Sequence, residues 1–306
     1  MIDVGSGPPL VLIPGIQGRW EWMRPTIDAL KLRCRVISFS LAGDGSSDRP
    51  FDRNQGFDAY LDQIEDVLQR AGVDDATVCG VSFGGLIALH WAARRPRRTT
   101  ALILVSTPAP DFKPDRRRQR YLRSPRLFSP VFALQSPVRL GPEIWSAFDG
   151  TVDRLAFSAG HLARITLSPC SPVRIAERAH LMSAVDFKAV CEQVSAPTLV
   201  LTGEPELDRV APVAGTRSYV DRITDAREMT LNRTGHIGLV TRPQRFAEVV
   251  GQFVAFTNST EEHVRHAPRL RVPLCRHRRG RVPDERGRVG AGFADKHKAE
   301  GMTRRE

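Results

Sequence analysis

Ser82 stands in Gly80-Val81-Ser82-Phe83-Gly84, after a short apolar run and before a helical pattern. A turn this tight strains the serine backbone, and bulky neighbours would collide with it; Gly80 and Gly84 remove those side chains. The Ser82 hydroxyl is then pushed out above the carboxyl edge of a sheet. The Phe83 N–H opens a helix, where backbone donors are free and the dipole favours a negative oxygen. The chemistry that such a turn serves is attack on a carbonyl carbon, with the Phe83 amide as half of an oxyanion hole.

A second donor is expected from the loop after an earlier strand, and Pro14-Gly15-Ile16-Gln17-Gly18 is such a loop. The Ile16 N–H is the first candidate and Gln17 the second. A serine also needs a base. Of eight histidines, His263, His266, His277 and His297 lie in the tail, His90 falls in the helix after Ser82, and His161 and His180 lie in a helical insertion. His236 differs: it sits in Thr234-Gly235-His236-Ile237-Gly238, where glycines on both sides let an imidazole reach inward. A carboxylate must orient that ring. The segment Thr202–Pro212 offers Glu204, Glu206 and Asp208; Asp208, just before a helix, is preferred, with the two glutamates as alternatives.

The elements that must position these groups alternate. Strands are expected at Leu10–Ile13, Val36–Phe39, Thr77–Val81, Leu102–Val105, Thr198–Leu201 and Glu228–Leu231. Helices are expected at Trp22–Leu30, Asp58–Ala71, Phe83–Arg95, Pro212–Arg222 and Pro243–Phe256. Several strands are apolar without alternation, as strands covered on both faces are. The fold class is therefore α/β, a mostly parallel twisted sheet with helices on both faces. Residues 1–107 and 195–258 form the two parts of the core. Residues 108–194, rich in Pro, Arg and Ser and without a strand signal, form a helical cap insertion. Residues 259–306 form a basic tail expected to be disordered.

The net charge is +11, but the tail from Ser259 onward holds 13 Lys and Arg against 7 Asp and Glu, more than half of the excess. The charge therefore says little about the folded part. Tail arginines lack interleaved aromatics, so no nucleic-acid partner is expected. The run Asp115–Arg120 reads as a solvated helix face. The five cysteines, Cys34, Cys79, Cys170, Cys191 and Cys275, form no C-x-x-C pair and read as reduced and non-ligating, which fits a cytoplasm. No leader and no apolar run of membrane-spanning length is found, so no membrane association is expected.

Taken together, the Pro14-Gly15 loop, LAGDGSSD at Leu41–Asp48, the GVSFG turn, the LTGEPELDRVAP segment and TGHIG resemble the α/β-hydrolase superfamily, in its cap-bearing serine hydrolase branch. The resemblance runs from about Gly5 to Phe256. It implies Ser82 as nucleophile, His236 as base and then acid, Asp208 as its partner, oxyanion amides at Ile16 and Phe83, and no metal or organic cofactor. Three departures stand out. Pro14-Gly15 replaces the usual His-Gly, and Asp44 occupies the middle of the usual G-H-G. Only nine residues precede Leu10, where the family has one or two antiparallel strands; a shortened sheet edge is expected, with either a start further upstream or a truncated relative of the family.

The function expected is hydrolysis of a small, largely apolar ester, lactone or thioester through an acyl-serine. Alternatives are carbon–carbon bond hydrolysis, cofactor-free peroxyacid formation, or a non-catalytic ligand-binding role. The partner expected is a small molecule; oligomeric state is not readable.

Overall fold

Leu10, Val11, Leu12 and Ile13 are all completely buried, yet they serve two different cores. Side chains alternate across a strand, so Val11 and Ile13 join one cluster while Leu10 and Leu12 join the other. The same split runs through the neighbouring strands: Leu102 and Leu104 face one side, Ile103 and Val105 the other. A strand that is apolar throughout is thus a strand with helices on both of its faces.

The computed structural model describes residues 1–266. Seven strands form one sheet in the order β1-β3-β2-β4-β5-β6-β7. They are β1 (Ile2–Val4), β2 (Pro9–Ile13), β3 (Arg35–Ser38), β4 (Ala76–Val81), β5 (Thr99–Val105), β6 (Thr198–Thr202) and β7 (Ala226–Thr230). All neighbours are parallel except β1, which runs antiparallel to β3 with Ile2 opposite Ser38. α1 (Arg24–Leu30) and the last helix, α12 (Pro243–His266), cover one face; α2 (Asp58–Ala71) and α3 (Phe83–Arg94) cover the other.

Between β5 and β6 the chain forms α4 (Arg116–Arg123), α5 (Pro125–Leu134), α6 (Ser136–Ala147), α7 (Thr151–Leu167), α8 (Pro172–Leu181) and α9 (Phe187–Cys191). The last of these returns to the sheet, where Phe187, Val190 and Cys191 join the α2–α3 side of the core. Two short helices follow β6 and β7: α10 (Val213–Arg217) and α11 (Gly238–Thr241). Among the described residues, no helix is long and apolar enough to cross a membrane.

The differences from the expected elements have local causes. Of the nine residues before Leu10, three form a strand, held by the Arg35–Asp3 ion pair at 2.7 Å. β7 begins two residues earlier than expected because pairing with β6 sets its register, Thr198 opposite Ala226, while Arg227 and Glu228 face solvent. Such charges discourage further pairing at a sheet edge. The first expected helix starts as a 3₁₀ turn at Trp20–Met23, ahead of a proline at Pro25. The last runs to His266, past its expected end at Phe256. From residue 267 the expected disorder of the tail, with Cys275, His277 and His297, lies outside the described residues.

Candidate active site

The loops after β2, β4, β6 and β7 all leave the carboxyl ends of parallel strands, and so lie on one side of the sheet. β2 also has β3 on one flank and β4 on the other, so the connections diverge there, which opens a crevice at the sheet edge.

Ser82 joins β4 to α3 with φ 53° and ψ −118°. A positive φ is costly for a residue with a side chain, and it persists only where the surroundings impose it. Here the Ser82 N–H donates to the Val105 carbonyl at 2.8 Å, and the Ser82 carbonyl accepts from Gly85 N–H at 2.9 Å. A Cβ at position 80 would overlap the Gly84 carbonyl, and one at position 84 the Pro14 and Ile13 carbonyls. Both glycines are therefore required by close backbone approach, as their spacing suggested.

His236 Nε2 lies 3.2 Å from Ser82 Oγ, and Nδ1 lies 3.2 Å from Asp208 Oδ2. With its proton on Nδ1, the imidazole donates to the carboxylate and accepts from the hydroxyl. Asp208 is buried, and its Oδ1 accepts from the Val210 and Ala211 amides at 3.0 and 2.9 Å. Burial pushes its pKa up, but the His236 hydrogen bond and charge, with those two amides, outweigh burial and hold the carboxyl below its ordinary range. Among the three acids of this loop, the structure puts Asp208 behind the ring. Glu204 accepts from the Arg233 N–H at 2.7 Å instead, and Glu206 is exposed.

The other histidines have separate surroundings. His90 is buried on α3, with Nε2 3.2 Å from Asp58 Oδ1. His161 stacks on Phe157 within α7 and meets Trp22 edge-on. His180 lies on α8. Four cysteines fall within the described residues: Cys34, Cys79 and Cys191 are buried and Cys170 is half-buried. Burial pushes the Cys34 thiol up to about 11, which keeps it protonated and unreactive. Among the described residues, no group of three or more His, Cys, Asp or Glu is placed to hold a metal ion.

The loop after β2 runs against the elbow: a Cβ on Gly15 would lie 3.6 Å from Ser82 Cβ. The Gly15 carbonyl accepts from Gly18 N–H at 2.8 Å. Because a trans peptide points its carbonyl and N–H in opposite directions, this bond also sets the direction of the Ile16 N–H. Phe83 is the first residue of α3, so its N–H has no acceptor within the helix.

Two charged residues that sequence reasoning missed hold these loops from above. Arg178 of α8 is 1% exposed and forms an ion pair with Asp44. It also donates to the Ile16 carbonyl at 2.9 Å, to Tyr60 Oη at 3.3 Å and to the Ala42 carbonyl at 3.4 Å. The aspartate that departs from the G-H-G pattern thus has a partner on the insertion. Glu143 of α6 is 0% exposed. Its Oε2 accepts from the Ile237 N–H at 3.0 Å and its Oε1 from Thr241 Oγ1 at 3.2 Å. One sequence signal pointed to it: Glu143 is the sole acid between Asp115 and Asp149, a stretch that carries seven arginines.

Residues 8–243 match the sequence model of the family described as "alpha/beta hydrolase fold". The chain belongs to that family, and it is an esterase-like hydrolase. It is 29% identical over 267 residues to the 2-hydroxymuconate semialdehyde hydrolase of Pseudomonas sp. (strain CF600), covering 83% of this chain and 89% of that one. It is 26% identical to the pimeloyl-[acyl-carrier protein] methyl ester esterase of Aromatoleum aromaticum, over 81% of this chain and 98% of that one. Among solved structures, the enol-lactonase from Burkholderia xenovorans LB400 superposes with a TM-score of 0.67 at 21% identity, covering 83% of this chain and 95% of that one.

Proposed function

We propose that the chain hydrolyses a small, uncharged carboxylic ester, lactone or thioester through an acyl-serine intermediate, with Ser82, His236 and Asp208 as its catalytic residues. The observation that carries this reading is the relay of two 3.2 Å contacts, Ser82 to His236 to Asp208, built on a strained elbow. His236 Nε2 takes the hydroxyl proton as Ser82 Oγ bonds to the carbonyl carbon. The carbonyl oxygen becomes an oxyanion facing the amides of Phe83 and Ile16, each such donor being worth roughly 3 kcal/mol of barrier. Collapse expels the alcohol or thiol, which leaves with the proton from His236. Water then adds to the acyl-serine with His236 again as base, and the acid and free serine are released. Asp208 stays ionised throughout and stabilises the imidazolium.

The apolar character of the substrate is supported by the apolar and aromatic residues of the loops and insertion. Ile16 and Ile237 neighbour the relay in the chain, and Phe148, Phe157, His161 and Trp22 form a series of ring contacts, tilted, stacked and edge-on, that links α7 to the Trp20–Met23 turn. A second reading is carbon–carbon bond hydrolysis, supported by the name of the Pseudomonas relative. An acidic substrate would call for an accessible cation. Arg178, beside the Ile16 loop, is saturated by Asp44 and three other acceptors, which favours an uncharged substrate.

A fluorophosphonate probe tests the reading. Wild-type protein is expected to be labelled and Ser82→Ala to be silent; equal labelling of both would sink the assignment. A panel of p-nitrophenyl esters of increasing chain length then places the acyl preference.

A further inference from the structure

We propose that Glu143, delivered by the insertion, is a positioning residue for His236: it grips the backbone next to the histidine at Ile237, packs closely on Gly235 on the other side, and places a buried carboxylate near the ring. The inference rests on the role proposed above for His236.

The geometry is specific. Glu143 accepts from the N–H of Ile237, one residue after the histidine, at 3.0 Å. A Cβ at position 235 would come within 2.9 Å of Glu143 Oε2 and would overlap the Leu207 carbonyl, so only glycine permits this approach. The other carboxylate oxygen takes the Thr241 hydroxyl of α11. Two donors thus converge on one side chain that water does not reach, and a carboxylate accepts from both. Burial pushes the Glu143 pKa up; the Ile237 and Gly235 amides, the charge of His236 and Thr241 act against it.

The rest of α6 holds the same loop. Arg233 Nε donates to the Ser146 carbonyl at 2.7 Å, its other nitrogen pairs with Asp149 at 2.5 Å, and Arg242 donates to the Ala147 carbonyl at 3.1 Å. These two arginines spend their charge on carbonyls and on Asp149, and Glu204 is turned to the Arg233 amide. Two buried carboxylates meet the histidine and the residue after it: Asp208, from the loop after β6, and Glu143, from α6. Asp208 bonds the ring directly. Glu143 acts through the backbone and through its field, in a site where low dielectric strengthens both. Each time the reaction makes an imidazolium, a second carboxylate is present that the chemistry itself does not use.

Two variants of the full chain separate grip from charge. Glu143→Gln keeps an oxygen for the Ile237 amide and turns its NH₂ to the Thr241 oxygen, so the loop stays held while the charge is lost. Glu143→Ala loses both. With p-nitrophenyl butyrate, Glu143→Ala should lower kcat roughly a hundredfold, as small displacements of a reacting group do. Glu143→Gln should lower kcat less, leave KM within about twofold, and move the acid limb of the kcat/KM profile to lower pH by about half a unit or more, since a nearby anion favours the imidazolium. The fluorophosphonate labelling rate should fall in the same order. If Ser82→Ala is silent while Glu143→Gln retains the wild-type acid limb and kcat, the role given to Glu143 is wrong and the site reading stands. If Ser82→Ala labels like wild type, both fall. Should Glu143→Ala not fold, the Glu143→Gln profile decides alone.

Discussion

β2, β5 and β6 bury Leu10, Leu12, Ile103 and Leu201 completely, whereas the helices from α4 to α8 leave Leu127, Leu134, Val152, Leu155 and Leu162 more than half exposed. Within those helices, the described side chains with least exposure are Glu143 at 0% and Arg178 at 1%. The sheet is thus held by apolar area removed from water, a non-directional force that tolerates small shifts. Helices α4 to α8 place two buried charges, Glu143 and Arg178, against the His236 and Ile16 loops. Buried charges contribute little net stability, because desolvation offsets their attraction, but a mispaired one is very costly. That asymmetry suits a segment whose position, rather than whose own stability, matters to the site.

This contrast between core and insertion can be tested by a graded series. The largest effects belong to the core loops. Ser82→Ala should cost on the order of a millionfold in kcat, with an unchanged urea midpoint, and Asp208→Asn about ten-thousandfold, measured on the best p-nitrophenyl ester. Next comes the buried pair. Arg178→Met leaves Asp44 buried and uncompensated and should lose about 3 to 5 kcal/mol in urea unfolding, while adding Asp44→Asn should recover part of that loss. A double variant as unstable as the sum of its singles would show that the pair is not coupled.

Apolar truncation should then divide the two regions. Leu102→Ala, at 0% exposure in β5, is expected to lose about 3 kcal/mol, and Leu155→Ala, at 65% exposure in α7, less than about 0.5 kcal/mol. Equal losses would erase the comparison. A final effect concerns pH. Burial lowers the His161 pKa to about 4 in the folded chain, against about 6.5 when unfolded. The unfolded state therefore binds the proton first, so stability is full above about pH 6.5 and declines toward pH 4. His161→Phe keeps the stack on Phe157 and removes that decline. Between pH 7 and 5 its melting temperature should fall about 2 to 4 °C less than that of wild type.

Most of the sheet was legible because strands covered on both faces must be apolar at every position, and Leu10–Ile13 and Leu102–Val105 are. The three-residue β1 was not legible: Ile2-Asp3-Val4 is too short to show a pattern, and its strand state comes from pairing with β3. At the site, Ser82 and His236 announced themselves through flanking glycines, since local backbone geometry is a local property of the chain. Asp208 was one of three acids within five residues, and only the packing of its loop against the histidine loop selected it. Glu143 and Arg178 left little trace, because a charge on a helix reads as solvated until its neighbours are known.

The order of the elements and the two glycine-framed turns were determined by the sequence alone, since each depends on residues close together in the chain. Tertiary structure alone decided which carboxylate lies behind His236, why Asp44 replaces the usual residue, and how α6 and α8 reach the loops. Those outcomes depend on contacts between residues separated by tens to more than a hundred positions, and burial turns such contacts from solvated charges into fixed ones.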